Sequence, residues 1–159
     1  MAIYLTLDGI DGPIKTPADG IDKAIELSSL QFGVSGSLSY EQDKGYKKNQ
    51  EPRINELVVT KISDKATSDL FHQVLSSSFF NTGEVTVTRL IGGAAEAFFK
   101  LSMEEVFVSS WSVTSGGDLP VESLSMAFNK IRLSVNPEED GKLQGWLERG
   151  WDLKKSALW

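Results

Sequence analysis

The feature that most constrains this chain is a long alternation of apolar and polar residues between positions 95 and 113. The odd positions from Ala95 to Val113 are nearly all apolar, and the even positions are mostly polar. A period of two is typical of a β-strand with one side on a core. Because the run exceeds an ordinary strand length, we expect a bend or bulge near Glu104 and Glu105 that turns Glu105 away from the core.

The same period recurs along the chain and predicts further strands, at 2–7, 25–35, 54–62, 84–91 and, near the end, 146–153. Between these, apolar residues alternate on even positions over 124–128 and on odd positions over 131–135. One extra residue at Asn129-Lys130, a bulge, keeps both sets on one face.

One segment has helical spacing. Its apolar residues form one stripe of a helix predicted over about 65–77, namely Leu70, Phe71, Val74 and Leu75. Asp64 or Thr67 can cap its start, and Asp69 complements the helix dipole there. Many strands with one short helix predict a single mainly β domain over 1–159, a β-barrel or a sandwich of two sheets with the helix packed against one side or end.

Charge and composition exclude several classes of function. A formal net charge of −6 argues against broad binding to nucleic acids or to anionic membranes. We also expect no insertion into a membrane. The absence of cysteine excludes disulfides and thiol chemistry, and a single histidine, His72, excludes a histidine-rich metal site. No window is apolar enough for a membrane helix. The start lacks a signal-peptide pattern, so we expect synthesis in the cytosol and any export without a cleaved signal.

Possible sites of chemistry each have a simpler structural interpretation. The tetrapeptide DGID occurs twice and can place four carboxylates around calcium, those of Asp8, Asp11, Asp19 and Asp22. Asp-Gly is also a common turn signal, and the spacing matches no calcium loop, so turns are favoured.

His72 as a general base, and a sugar platform built from tryptophans, are weaker hypotheses still. His72 has no neighbouring motif to orient it, and GVSGS at 33–37 lacks the second glycine of a nucleophile elbow. Trp146, Trp151 and Trp159 can stack on a sugar, but packing of a terminal strand explains them better. The sequence therefore predicts no catalytic, cofactor-binding or metal-binding residue.

A long polar segment at 39–53 predicts an extended loop, and a loop of this length in a compact domain is usually functional. Strand-rich domains must pair or cover their sheet edges, and head-to-tail pairing between copies gives rings or filaments. We expect the loop to reach a second subunit through Tyr40, Lys44, Tyr46, Lys47, Lys48 and Arg53.

Gly116-Gly117-Asp118 is predicted to be the turn of a long hairpin. A phosphate-binding loop would lead into a helix N-terminus, whereas alternating residues follow these glycines. Pro120 marks where the next strand begins.

Residues 105–131, EVFVSSWSVTSGGDLPVESLSMAFNKI, resemble the signature region of Hcp, the hemolysin-coregulated tube protein family of bacterial type VI secretion systems. The matching positions are Glu105-Val106, Ser109-Ser110, Gly116-Gly117-Asp118, Pro120, Glu122 and Phe128-Asn129-Lys130-Ile131. MAIYLTLDGIDG, IELSSLQFGVSGS, LVVTKISDKATSDLF and GWDLKKS resemble further family segments in the family's order.

The resemblance implies a non-enzymatic subunit without cofactors, made in the bacterial cytoplasm and secreted without a signal peptide. It implies hexameric rings that stack into a tube, driven by a contractile sheath, tipped by a valine-glycine-repeat spike and carrying small effectors in the lumen. The extended loop of the family falls at 39–53. Some relatives carry an added toxin domain, which we do not expect here. A calcium- or carbohydrate-binding β-sandwich module and a hydrolase using His72 are the alternatives.

Overall fold

The computed structural model describes residues 1–16, 20–36, 38–48 and 52–159. Its elements in chain order are β1 (Ala2–Leu7), β2 (Ile25–Leu27), β3 (Ser29–Gln31), β4 (Val34–Ser35), β5 (Leu38–Glu41), β6 (Gly45–Lys48), β7 (Arg53–Ile54), β8 (Leu57–Ile62), α1 (Thr67–Ser76), β9 (Phe79–Ile91), β10 (Ala94–Thr114), β11 (Val121–Ala127), β12 (Lys130–Val135), β13 (Glu138–Glu139), β14 (Lys142–Leu143), β15 (Leu147–Asp152) and β16 (Ala157–Leu158). The prediction of a mainly β chain with one short helix is confirmed for these residues.

Strand β10 organises the main sheet. One of its edges pairs with β9, whereas the other pairs first with β12 and then with β11. Strands β1 and β2 extend the sheet beyond β9, β15 and β16 extend it beyond β12, and β8 and β3 extend it beyond β11. Ser28 separates β2, which pairs with β1, from β3, which pairs with β8. The ten strands are not closed into a barrel, so the sandwich is the alternative that the structure supports.

The alternation of β10 changes sides at Glu105. Leu101 and Met103 are buried before it, and Val106 and Val108 are buried after it. Glu105 is exposed and has a left-handed backbone, with φ of 52°. The expected turn of Glu105 away from the core is confirmed. Between this bend and Ser109 the core-facing positions are even, contrary to expectation, but beyond Ser109 the odd position Trp111 again packs against the core, opposite the buried Leu124.

No residue is inserted at this bend. The register of β10 against β9 shifts only between Ala97 and Phe99, and the register against β11 shifts between Val108 and Ser110. Of the bend or bulge expected near Glu104 and Glu105, the structure therefore has the bend, because the left-handed Glu105 reverses the side-chain parity without adding a residue.

The strands that pair with β10 also change their core-facing positions beside Glu105. Phe128 and Ile131 both face the core, as expected. However, Glu104 pairs with Lys130 and Phe107 with Ala127 in one unbroken register, so the bulge predicted at Asn129-Lys130 is absent.

Three predicted strands are divided or extended. The segment 25–35 forms the three short strands β2, β3 and β4, and the segment 54–62 forms β7 and β8. Strand β9 begins at Phe79, before the predicted 84. Strand β1 has the predicted bounds, and β15 lies within the predicted 146–153.

Helix α1 lies inside the predicted range and covers the core with one side. Leu70 is fully buried, whereas Phe71 and Leu75 are 47% and 68% exposed, so only part of the predicted apolar stripe faces the core. The helix has no side-chain N-cap bond. Instead Asp64 accepts a hydrogen bond from the Ala66 amide at 2.9 Å in the turn before the helix.

Candidate assembly surface

The segment predicted to be an extended loop is mostly a hairpin. Strands β5 and β6 pair with each other from Leu38 opposite Lys48 to Glu41 opposite Gly45. Strands β4 and β7 pair at its base, where Ser35 lies opposite Arg53. The extended segment predicted at 39–53 contains paired strands that the sequence did not indicate, because a tight turn ending in Gly45, with φ of +73°, lets the two polar segments pair. We call the described residues of 34–54 the arm.

The arm carries the residues predicted to contact another subunit. Leu38 and Tyr40 are 67% and 64% exposed. Lys44 forms an exposed ion pair of 3.8 Å with Glu41 across the turn, and Arg53 is exposed at the base. The backbones of Tyr46, Lys47 and Lys48 form β6, but their side chains lie outside the described residues, as do all of 49–51.

The Gly116-Gly117-Asp118 segment joins β10 to β11, as predicted. Thr114 pairs with Val121, directly after Pro120, so the hairpin ladder resumes where the proline indicated. Both glycines lie in open space without a left-handed φ, and the turn is exposed. Ser109 is the extra residue of a bulge and donates to Glu56 at 2.7 Å, while Ser110 follows it on the ladder.

Behind this hairpin lies a buried ion pair that joins the sheet to the helix. The Lys61 Nζ donates to Glu122 Oε2 at 3.0 Å, and both side chains are fully buried. The Thr67 hydroxyl donates to the same oxygen at 2.6 Å, and the Trp111 Nε1 donates to Glu122 Oε1 at 2.6 Å. The Asp64 carboxylate lies 3.1 Å from Lys61. We call these five residues the latch.

Glu122 is held as a carboxylate. Burial by itself raises its pKa, but hydrogen bonds from Thr67, Trp111, Lys61 and Ser63 outweigh that effect and lower the pKa below its ordinary value. A carboxylate with its donors already in place and no access to solvent has a structural role in holding α1 against β8, β10 and β11.

The spacing of two charged residues in the sequence could have predicted the latch. Lys61 follows Leu57 and Val59 at core spacing, and Glu122 precedes Leu124 and Met126 at the same spacing. One cation and one anion on the core sides of two strands predict a buried pair once those strands are neighbours.

The main sheet has two unlike outer faces. One spans β10, β11, β8 and β3, and its residues lie in three rows: Thr114, Val121 and Ile62; Ser112, Ser123, Thr60 and Ser29; Ser110, Ser125, Val58 and Gln31. All eleven are exposed or half-buried, and none is charged. We call this the serine–threonine face. In a chain of which 24% of residues are charged, it is a distinct surface.

The other outer face spans β1, β9, β10, β12 and β15, and its rows are Thr82, Glu104, Lys130 and Asp152; Thr6, Glu84, Ser102, Arg132 and Gly150; Tyr4, Thr86, Lys100, Ser134 and Glu148. Seven of these fourteen are charged, and we call it the charged face. Lys130 lies 3.1 Å from Glu104, and the Arg132 guanidinium stacks 4.1 Å from the centre of the Trp159 ring.

A groove with a volume of 780 Å³ lies on the charged face. Its floor includes Thr6 and Ser102, the turns at 8–11 and 22–23 line one side, and Trp159 and Arg132 also line it. Its carboxylates are those of Asp8, Asp11, Asp22, Glu84 and Glu104, against two cationic groups, Lys23 and Arg132. The formal charge of this acidic groove is therefore −3.

The residues weighed and set aside as candidates for chemistry form no site among the described residues. His72 is exposed on α1, and none of the hydrogen bonds found among the described residues involves it. Trp151 packs against the core, while Trp146 and Trp159 stack on cations, as expected of terminal packing. Asp19 lies outside the described residues, and within them no group of three acidic or histidine side chains can hold a metal ion.

The chain matches the family model described as "Type VI secretion system effector, Hcp" over residues 4–135. The protein Hcp1 of Pseudomonas aeruginosa is 25% identical over 108 residues, which cover 65% of this chain and 67% of that protein. None of the helices in the described part of the chain has the length and apolarity needed to cross a bilayer.

Solved structures share the fold over nearly the whole chain. A structure described as a type six secretion system protein has a TM-score of 0.88 at 26% identity and covers 99% of this chain and 98% of its own. Hcp1 from Salmonella typhimurium has a TM-score of 0.78 at 18% identity and covers 99% and 97%. The latter likeness is one of fold.

Proposed function

The chain belongs to the Hcp family of type VI secretion system effectors, and on that premise we propose that it is a single-domain tube subunit that assembles into hexameric rings, which stack. The observation that carries this proposal is the arm, in which the described strands pair only with one another and the side chains of Val34, Leu38 and Tyr40 are exposed. A two-stranded hairpin is marginally stable alone. An arm of this kind is expected to be ordered by a neighbouring copy.

The interface we propose uses the six residues predicted from the sequence, Tyr40, Lys44, Tyr46, Lys47, Lys48 and Arg53. Tyr40 supplies exposed aromatic area, and Lys44 and Arg53 are exposed cations at the tip and base of the arm. A contact between an arm and a different surface of the next copy is head-to-tail, which closes into a ring when the rotation allows.

We propose that the serine–threonine face lines the lumen of the ring. Cargo proteins of different charge can pass a wall of short hydroxyl side chains without strong attraction or repulsion, since uncharged groups exert no long-range field. The charged face would then lie outside the bore, where the proposed sheath and other partners act. Effectors in the lumen and a valine-glycine-repeat spike at the tip belong to the same proposal.

The subunit would leave the bacterial cytoplasm through the secretion apparatus rather than by a cleaved signal. It would act mechanically and not as an enzyme. The latch supports this view, because the most deeply buried charged groups in the described residues hold the helix in place and have no access to a substrate.

Light scattering coupled to size-exclusion chromatography tests the proposal. The monomer mass is 17.5 kDa, and a hexameric ring would have six times that mass, 105 kDa. We expect a ring-sized species at micromolar concentration and a ring with a central hole in negative-stain images. A monomer at all concentrations up to the solubility limit would contradict the proposal.

A further inference from the structure

The lysines of the arm are unusual in this chain. Residues 44–50, KGYKKNQ, carry three lysines and no acidic residue, a formal charge of +3, whereas the whole chain carries −6. Two of the three lysines belong to strand β6 and the third lies in the turn before it. This cationic strand pairs with β5 along one edge, and the described ladders leave its second edge unpaired.

The acidic groove has the complementary charge and the form to accept an extended segment. Its formal charge is −3, and its volume of 780 Å³ lies over the outer side of β1, β9 and β10. Asp8, Asp11 and Asp22 are exposed on its rim. Long-range attraction between such surfaces orients two molecules before they touch.

We infer that the acidic groove of one copy receives the lysine-rich strand β6 of a second copy. The inference rests on the proposed assembly and names the surface that the arm meets. It also gives the repeated DGID motif a role, since three of its four aspartates lie on the groove rim, and Asp19 lies outside the described residues.

The occupant we infer is a second copy because the described residues of the arm do not line the groove of their own copy. The groove is lined by β1 and the turn after it, by the turn at 22–23, by β9, β10 and β12, and by Trp159, with no described arm residue among them. The ten residues from Val34 to Asp43 can span at most about 33–36 Å when fully extended. Arm and groove are different surfaces, so the contact is head-to-tail.

A charge-swap experiment tests the inference on the full chain. The arm variant combines Lys44→Glu, Lys47→Glu and Lys48→Glu, and the groove variant combines Asp8→Lys, Asp11→Lys and Asp22→Lys. Light scattering at low salt measures the concentration at which half of the chains are assembled. We expect each variant to raise that concentration at least about tenfold, because exposed pairs are lost and like charges face each other. The chain with all six changes should assemble within about threefold of the original.

A control variant with the same net charge as the arm variant separates this contact from general repulsion. Lys65→Glu, Lys142→Glu and Lys155→Glu change three exposed lysines outside arm and groove. We expect assembly within about threefold of the original for this control, and thermal melts confirm that every variant is folded.

Four outcomes decide the matter. Loss of assembly in each triple variant, with recovery in the chain that carries all six changes, supports the inference. An arm variant that assembles normally overturns it and leaves the proposed function standing. Loss of assembly in both triple variants without recovery in the chain that carries all six changes also overturns it, since arm and groove then contact other surfaces. An original chain that never assembles overturns the proposed function and the inference together.

Discussion

The two outer faces of the main sheet differ although one strand contributes to both. On the charged face, β10 presents Lys100 and Glu104 between charged neighbours. On the serine–threonine face, the same strand presents Ser110 and Ser112. The left-handed Glu105 separates the two halves, and there the core-facing parity reverses.

The difference also extends below the surface. Beneath the serine–threonine face, charge is buried in the latch, and the surface above it is neutral. On the charged face the ions lie at the surface, where they pair with one another or stack on tryptophans. A buried pair contributes to one fixed packing arrangement, whereas exposed ions govern which molecules approach.

The largest expected effect comes from opening the latch. Lys61→Met leaves Glu122 buried without its cation, and such a loss costs about 3–5 kcal/mol of unfolding free energy. Lys65→Met, on an exposed neighbour, is the matched control and should change stability by less than about 0.5 kcal/mol. Urea denaturation measures both. Equal losses in the two variants would show that the latch is not a determinant of stability.

A smaller effect is expected on the opposite face, where Trp159 covers Gly150. A Cβ at Gly150 would lie 2.9 Å from the Trp159 carbonyl oxygen and 3.1 Å from that of Ile131. Gly150→Ala should therefore displace the chain end and cost about 1–3 kcal/mol. Gly116→Ala enters open space and is the control. Tryptophan fluorescence and denaturation should change in the first variant and not in the second.

The pH dependence of stability isolates the latch carboxylate. The pKa of Glu122 is lowered in the folded state, so the unfolded chain binds more protons at acidic pH. Its contribution is present above the unfolded pKa, near 4.5, and is lost as pH falls through the folded pKa. We expect unfolding free energy to fall more steeply below pH 4.5 in the original chain than in Glu122→Gln. Parallel curves would contradict this assignment.

Glu105 also makes the unfolding free energy fall as the pH is lowered, but more weakly than Glu122. Hydrogen bonds from Lys154 and then Asn129 lower its pKa, although it lies at the surface. The Glu122→Gln comparison keeps this component constant in both chains, so it cancels.

The smallest expected changes in unfolding free energy come from single substitutions on the two outer faces. Glu104→Gln removes the 3.1 Å partner of Lys130 and should cost about 0.2–1 kcal/mol at low salt, with the loss vanishing at high salt. Ser112→Gln, on the serine–threonine face, should change stability by less than about 0.5 kcal/mol at any salt concentration. A salt-dependent loss for Ser112→Gln would remove the contrast between the faces.

The strands that alternate strongly could be predicted because burial on one side leaves a period of two in the sequence. Strand β10 and the hairpin to β11 are examples, and Pro120 indicated where β11 begins. The reversal at Glu105 could not, because it depends on a bend shared with the neighbouring strands at Asn129, whose side-chain amide donates to Glu105.

The arm and the latch are two further features that could not be predicted in full from the sequence alone. Residues 39–53 lack apolar alternation, so pairing of β5 with β6 leaves little trace in composition. Lys61 and Glu122 did stand at core spacing, but their partnership requires knowing that β8 lies beside β11. The groove depends on even more distant segments, since the first turn, β10 and Trp159 meet only in the folded chain.

The most direct test of the central claim is a cryo-electron microscopy reconstruction of the assembled protein, because it shows which face lines the bore. We predict a six-fold ring with Ser112, Ser123 and Thr60 on the inner wall and the charged face outside. A ring whose bore is lined by Lys100, Glu104 and Arg132 would contradict the account.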